Sequence, residues 1–169
     1  SGSLLGKTIA NTLVKDNHKI ICTYNKTFPK VLRKFKKIKI KKLDLKKKIK
    51  NFGNVEVIIH CASAVPADNY SSSKINKINF EGFKNLLKSN VSQKTKKIVL
   101  ISTMSVYGQI NKTKINENYR GIKLDDYGKS KKKMENYLIQ FSKKNNLIPI
   151  IFRLPGIVGK NSKNNFISK

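Results

Sequence analysis

Two cysteines, two histidines and nine acidic residues are all that 169 residues supply of the side chains that most often form disulfides or hold metals. Cys22 and Cys61 stand singly inside apolar runs, with neither the number nor the spacing of a disulfide framework or a zinc site, so no staple and no metal centre is expected. His60 has no histidine, cysteine or acidic cluster near it in sequence and reads as structural. No apolar run approaches the roughly 18 residues of a membrane span, and no leader of charged, apolar and cleavage regions is legible. No membrane partner is expected, and the cytoplasm is the expected location. Arginine is scarce as well, at Arg33, Arg120 and Arg153, although 37 Lys and Arg against 9 Asp and Glu give a net charge of +28. Nucleic-acid readers lean on arginine forks and neighbouring aromatics, whereas here lysine is spread through every segment. Specific nucleic-acid binding is therefore not expected, and the surplus suits a polyanionic substrate such as one carrying a diphosphate.

What is present is an alternation. A glycine-rich turn, Ser1 to Gly6, opens a helix with Leu5, Ile9 and Leu13 at helical spacing, a geometry that offers backbone N–H groups and a helix dipole to an anion. His18 to Thr23 follows as a short buried strand, so the start reads as the back two-thirds of a βαβ unit whose first strand is expected before Ser1. Ile38 and Ile40 alternate with lysines as an edge-like strand, then comes Leu43-Asp44-Leu45, where Asp44 either accepts a hydrogen bond from a ligand or caps a turn. Val55 to Ala62 is a nearly continuous apolar strand ending in small residues. Ser71 to Ser89 is a helix packing through Ile75, Ile78, Phe83, Leu86 and Leu87. Asn79 beside that stripe must be paired, as a helix-to-strand clip or as part of a site. Lys97 to Thr103 is a strand with hydroxyls gathered at its end, and Leu147 to Arg153 is a last apolar run broken by Pro155-Gly156. At this length the chain is one ordinary domain burying roughly 70% of its unfolded surface.

Between those last two strands lies Asp125 to Glu135. Read as a helix, it puts Tyr127 and Lys131 on one face, roughly 5–6 Å apart at Cβ, with Asp125 and Asp126 where a helix start favours acidic groups. An ammonium beside a phenol favours the phenolate and makes the hydroxyl a usable acid or base. A half-buried tyrosine beside a solvated lysine has the same spacing.

Together these segments resemble the extended short-chain dehydrogenase/reductase family, also called the NAD-dependent epimerase/dehydratase family, over essentially the whole chain. The resemblance rests on Tyr127-x-x-x-Lys131 with Glu135, on Ile101 to Gly108, on Val57 to Ala62, on Asn79-x-x-Gly82 and on Arg153-Leu154-Pro155. It implies an α/β fold, a Rossmann-like doubly wound parallel sheet with helices on both faces and its first strand missing. Residues 1–158 would form an NAD(P)-binding domain, and 159–169 would begin a substrate-binding segment. It implies an NAD(P)-dependent oxidoreductase or epimerase acting on a nucleotide-diphosphate sugar, with Tyr127 as acid or base. Lys131 would lower the Tyr127 pKa and hold the nicotinamide ribose, and Thr103 would hydrogen-bond the reacting oxygen. Gly2, Ser3, Leu5 and Gly6 would cradle the pyrophosphate, Asp44 and Leu45 the adenine, and Cys61, Ala62 and Ser63 the cofactor backbone. Asn79 is counted with the cofactor-binding residues, and Pro155 and Gly156 would lie near the nicotinamide. A nucleotide sugar is the implied partner, and a homodimer is among the implied assemblies.

Departures from the family pattern sharpen the expectation. Tyr24, Asn25 and Lys26 stand where an NAD-binding member has an acidic residue for the ribose hydroxyls, so the cofactor is NADP or NAD, with NADP favoured. Met104 and Ser105 stand where 4,6-dehydratases carry Asp-Glu, which disfavours dehydration and leaves an epimerase or a 4-keto reductase. A non-catalytic dinucleotide-binding module is the first alternative, and a basic nucleic-acid-binding domain ranks below it.

Overall fold

The computed structural model describes residues 3–65 and 68–157; the boundary expected at 158 and the segment 159–169 lie outside them. Within the described residues helices and strands alternate: α1 (Leu4–Lys15), β1 (Ile20–Tyr24), β2 (Ile38–Lys42), β3 (Val57–His60), α2 (Ser72–Asn76), α3 (Gly82–Asn90), β4 (Lys97–Thr103), α4 (Asp126–Lys144) and β5 (Ile148–Leu154). Every strand pairing is parallel. The strands form two sheets, β1-β2 and β3-β4-β5. Sequence order therefore runs outward in both directions from β1 and β3, the Rossmann-like, doubly wound arrangement in which ligands bind beyond the carboxyl ends of the strands where the order reverses.

The register separates the two faces of the larger sheet. Ile58, Ile98 and Pro149 lie side by side, as do His60, Leu100 and Ile151. This face packs on α3 and α4, around Phe83, Leu87, Met134 and Leu138, none of which is exposed. Burying each such side chain contributes roughly 1.5–3 kcal/mol. The opposite face carries Val57, Ile148 and Phe152, each about half exposed at 45%, 53% and 50%, so among the described residues its helices cover one side. His60 is wholly buried with its ring 4.8 Å from that of Phe83, and burial pushes its pKa down to about 3. It is a neutral core residue at any ordinary pH, as its isolation in sequence suggested.

Two helices differ from their sequence reading. In α1 the buried stripe is Gly6, Ala10 and Val14, one position on from Leu5, Ile9 and Leu13, which are only half buried. Small residues at 6 and 10 bring the helix close to Cys22, Leu32 and Ile38, and close approach outweighs side-chain size. The helix expected over 71–89 is broken by a π-helical turn, Lys77–Glu81, that carries Asn79. Such widened turns insert a residue and re-aim a side chain. Gly82 follows at once, and a Cβ there would stand 2.7 Å from Leu45 Cβ. The glycine is what lets the helix lie against the segment after β2.

Candidate active site

The helix α4 starts where its sequence says it must. Asp125 is its cap, the carboxylate accepting from the Gly128 N–H at 2.6 Å, with Asp126 in the first turn where the dipole favours negative charge. Ser130, Met134 and Leu138 face inward, which fixes the rotation of the helix and brings Lys131 under the sheet edge. Lys131 is 2% exposed, and its ammonium donates to the Ile101 carbonyl at 2.7 Å. The same ammonium lies 5.8 Å from the centre of the Tyr127 ring. Burial pushes the Lys131 pKa down to about 8, opposed by the neighbouring Cys61 and Glu135.

The phenol differs from the expectation of a lowered pKa. Burial is the largest influence on Tyr127 and pushes it up; a hydrogen bond accepted by its oxygen from Ser63 acts the other way, and Asp125 adds to the rise. Burial therefore holds the phenol of Tyr127 protonated, while the Lys131 ammonium donates to a backbone carbonyl. Thr103 ends β4, and its hydroxyl bonds Ser105 at 3.2 Å, capping the short turn Met104–Tyr107. The loop after β3 therefore meets the start of α4 through Ser63 and Tyr127, and Lys131 is bonded to β4 at Ile101, two residues before Thr103. Cys61 lies in the same loop, half buried, its thiol pushed up by burial while the Lys131 ammonium pulls the other way. Ala62 is exposed beside it, as are Pro155 and Gly156 after β5.

Asn79 is fully buried with its amide spent on protein. Its Oδ1 accepts from Ala64 N–H at 2.7 Å, and its Nδ2 donates to Ala64 O at 3.1 Å and to Ser130 Oγ at 3.0 Å. Ser130 in turn donates to Tyr127 O at 2.7 Å. Of the two sequence alternatives, this is the clip: Asn79 ties the loop after β3 to the first turn of α4.

A second network had no role assigned from sequence. Glu135, one turn past Lys131, is 1% exposed in its side chain. It accepts from Ser102 Oγ at 2.6 Å and from Arg153 Nε and Nη2 at 3.1 and 2.9 Å. Arg153 Nη1 also donates to the Tyr107 hydroxyl at 2.9 Å and the Glu117 carbonyl at 2.7 Å. An acid one turn from the lysine, in a chain with nine acids and three arginines, was the legible signal.

The remaining candidates lie elsewhere. Gly2 is outside the described residues. Ser3 caps α1, its hydroxyl accepting from the Gly6 N–H at 3.3 Å; Leu5 is half buried and Gly6 buried, at the helix start where an anion is favoured. Asp44 takes the Lys46 N–H at 3.0 Å as a turn cap, and Leu45 is buried against Ile49 and Leu86. A cavity of about 700 Å³ opens beyond the ends of β1 and β2, away from Tyr127, lined by Asn25, Lys26, Lys42, Asp44, Lys48 and Phe52 among others. Its lysines and single carboxylate suit a phosphorylated nucleotide, so the donor set fits the dinucleotide that the resemblance implied.

Packing between α4 and the Thr103 turn gives a direct test. A Cβ on Gly128 would stand 2.4 Å from the Ser105 carbonyl oxygen, and backbone cannot swing aside. Gly128→Ala is expected to cost about 1–3 kcal/mol by overpacking in urea unfolding, and to lower activity by pushing Tyr127 off the strand end.

Comparison with known proteins follows the same outline. The sequence profile described as the NAD dependent epimerase/dehydratase family matches residues 2–169. The protein named "Putative UDP-glucose 4-epimerase" in Methanocaldococcus jannaschii is 29% identical over 92% of this chain and 53% of its own length. A UDP-galactose 4-epimerase structure superposes with a TM-score of 0.81 at 16% identity, covering 99% of this chain and 58% of that one. A UDP-glucuronic acid 4-epimerase from Bacillus cereus, in complex with NAD, gives 0.73 at 20%, covering 91% and 54%. At such identities the structural likeness is one of fold. The chain spans about half the length of these proteins.

Proposed function

The chain belongs to the NAD dependent epimerase/dehydratase family, and from that membership we propose that it carries the acid/base centre of a nucleotide-sugar 4-epimerase, with Tyr127 moving the proton. The observation that carries the reading is the buried Lys131 ammonium over the Tyr127 ring, bonded to the strand whose end bears Thr103. A bound nicotinamide dinucleotide supplies the hydride acceptor and donor. The chain's own residues do the rest. Tyr127 is protonated at rest, so it would first release its phenolic proton to solvent, then take the proton of a C4 hydroxyl and return it to the C4 keto oxygen; Thr103 would hydrogen-bond that oxygen. Lys131 has three donors and uses one on Ile101, leaving two for ribose hydroxyls. Met104 and Ser105 offer no carboxylate for an elimination, so dehydration is not proposed. The relatives' names favour epimerisation over net reduction.

The test is the full-length protein with a panel of UDP-hexoses, followed by NMR. Formation of the C4 epimer without net consumption of cofactor is the expected result. Stoichiometric consumption of reduced cofactor would move the reading to a 4-keto reductase, and binding without turnover to a non-catalytic module.

The lysine-lined cavity beyond Asn25 and Lys26 bears on the cofactor. A ribose 2′-phosphate there finds several ammonium groups and no carboxylate at the end of β1, where Tyr24 precedes Asn25. NADP(H) is expected to bind more tightly than NAD(H), and Lys26→Ala to cost about tenfold or more for NADP(H) alone, the worth of one hydrogen bond to a charged group. Equal titration of both cofactors by the unaltered protein would overturn the preference.

A further inference from the structure

Lys131 and Thr103 stand on different elements, which the bond from Lys131 to Ile101 joins. What fixes the rest of the junction is the side-chain network beneath it. Glu135 is the next inward residue of α4 after Lys131 on the same face. Ser102, which bonds it, is the immediate neighbour of Thr103, and Arg153, which grips both of its oxygens, is on β5, paired with Ser102 in the parallel ladder. Through Nη1 the same guanidinium reaches the Tyr107 hydroxyl, at the far end of the turn that Thr103 begins. A residue on each side of Thr103, and the helix that carries Tyr127, are thus held by one carboxylate.

We propose that Glu135 is a positioning residue for the proposed reaction: clamped by Ser102 and Arg153, and through Arg153 by Tyr107, it sets the Thr103 turn against the Tyr127–Lys131 helix and keeps a carboxylate one turn below the ammonium. This rests on the acid/base reading above and adds residues to it that touch neither sugar nor cofactor. The groups facing Lys131 support it. Tyr127 and Glu135 face it from α4, His60 from the end of β3, Cys61 from the loop just after it, and the Ile101 carbonyl from β4. His60 is neutral and the Cys61 thiol is pushed up by burial; Glu135 is the carboxylate among these groups, and it raises the Lys131 pKa.

Two mild variants of the full-length protein test the proposal. Tyr107→Phe removes one hydroxyl and nothing else from the network. It is expected to lower kcat about tenfold with KM unchanged, within the 10²-fold that a misplacement of about 1 Å produces. Glu135→Gln keeps shape and removes charge. Its expected signature is a Lys131 titration midpoint, read from the lysine 13Cε resonance, that falls below the value of about 8 in the unaltered protein, together with a kcat loss at neutral pH. A merely structural brace would lower stability without moving that midpoint. Unchanged kcat in Tyr107→Phe, or an unchanged midpoint in Glu135→Gln, overturns the proposal. Lack of turnover in the unaltered protein would sink the epimerase reading instead, and the resonance would still decide this one.

Discussion

Tyr127→Phe is expected to lower turnover of the full-length protein by about 10²–10⁴-fold, the ordinary worth of a positioned acid or base, with cofactor affinity little changed. The substitution deletes one oxygen. The ring stays beneath the Lys131 ammonium, α4 keeps its Asp125 cap and its Ser130 bond to Asn79, and Lys131 keeps the Ile101 carbonyl. Nothing in the packing depends on the hydroxyl except its bond to Ser63. A tenfold change in rate corresponds to about 1.4 kcal/mol of barrier, so a loss in the upper part of that range exceeds the roughly 10²-fold that a misplacement of about 1 Å produces. Burial holds the phenol protonated, so a single-turnover measurement in the reducing sense, where the first need is a proton donor, isolates its role. Full activity in the Phe variant would remove Tyr127 from the chemistry.

Most of the fold was legible because a buried parallel strand and an amphipathic helix leave different periodicities. β3, β4 and β5 are continuous apolar runs, and the strand order follows from parallel pairing with helical crossovers. What was not legible concerns how closely elements approach. The α1 stripe lies at Gly6, Ala10 and Val14 because a helix meets its sheet most closely where side chains are smallest, and a search for large apolar residues finds the neighbouring row. The π-helical turn at Lys77–Glu81 has no composition of its own; it exists because Asn79 finds Ala64 and Ser130 across the interface.

At the site, spacing alone put Tyr127 and Lys131 on one helical face and Thr103 at a strand end. The sign of the Tyr127 shift was not legible, because it depends on where the Lys131 ammonium points and how much water the phenol loses. Asp44 illustrates the same limit: its cap to Lys46 N–H and its place on the cavity wall coexist, and local sequence offered no means to rank them. Glu135 and Arg153 lie 18 positions apart on elements whose pairing is decided only by the fold, so their partnership was invisible even though both residues belong to quoted motifs.

That partnership is expected to dominate stability. In Arg153→Met the Glu135 carboxylate, 1% exposed, keeps the Ser102 hydroxyl at 2.6 Å and a half-exposed Lys132 at 3.5 Å and loses the bidentate guanidinium. Removing one partner of a buried ion pair costs about 3–5 kcal/mol, because the remaining charge is poorly solvated and is left with only the partly exposed Lys132 ammonium. At about 2–4 °C per kcal/mol for a chain of this length, the melting temperature falls by roughly 6–20 °C. Urea unfolding measures it directly. A loss below about 1 kcal/mol, the value of an exposed pair, would show that water reaches the carboxylate and that the network is a surface feature. The double variant Glu135→Met, Arg153→Met separates the two contributions. With both charges gone, the desolvation cost goes too, and replacing a buried pair by apolar groups of similar volume is often neutral. The double variant should therefore be more stable than Arg153→Met alone, with a coupling energy well outside the roughly 0.5 kcal/mol seen for independent sites. If that recovered stability comes with turnover still depressed, the pair is retained for the geometry of Thr103 and Tyr127, since folding alone would be served as well by two methionines.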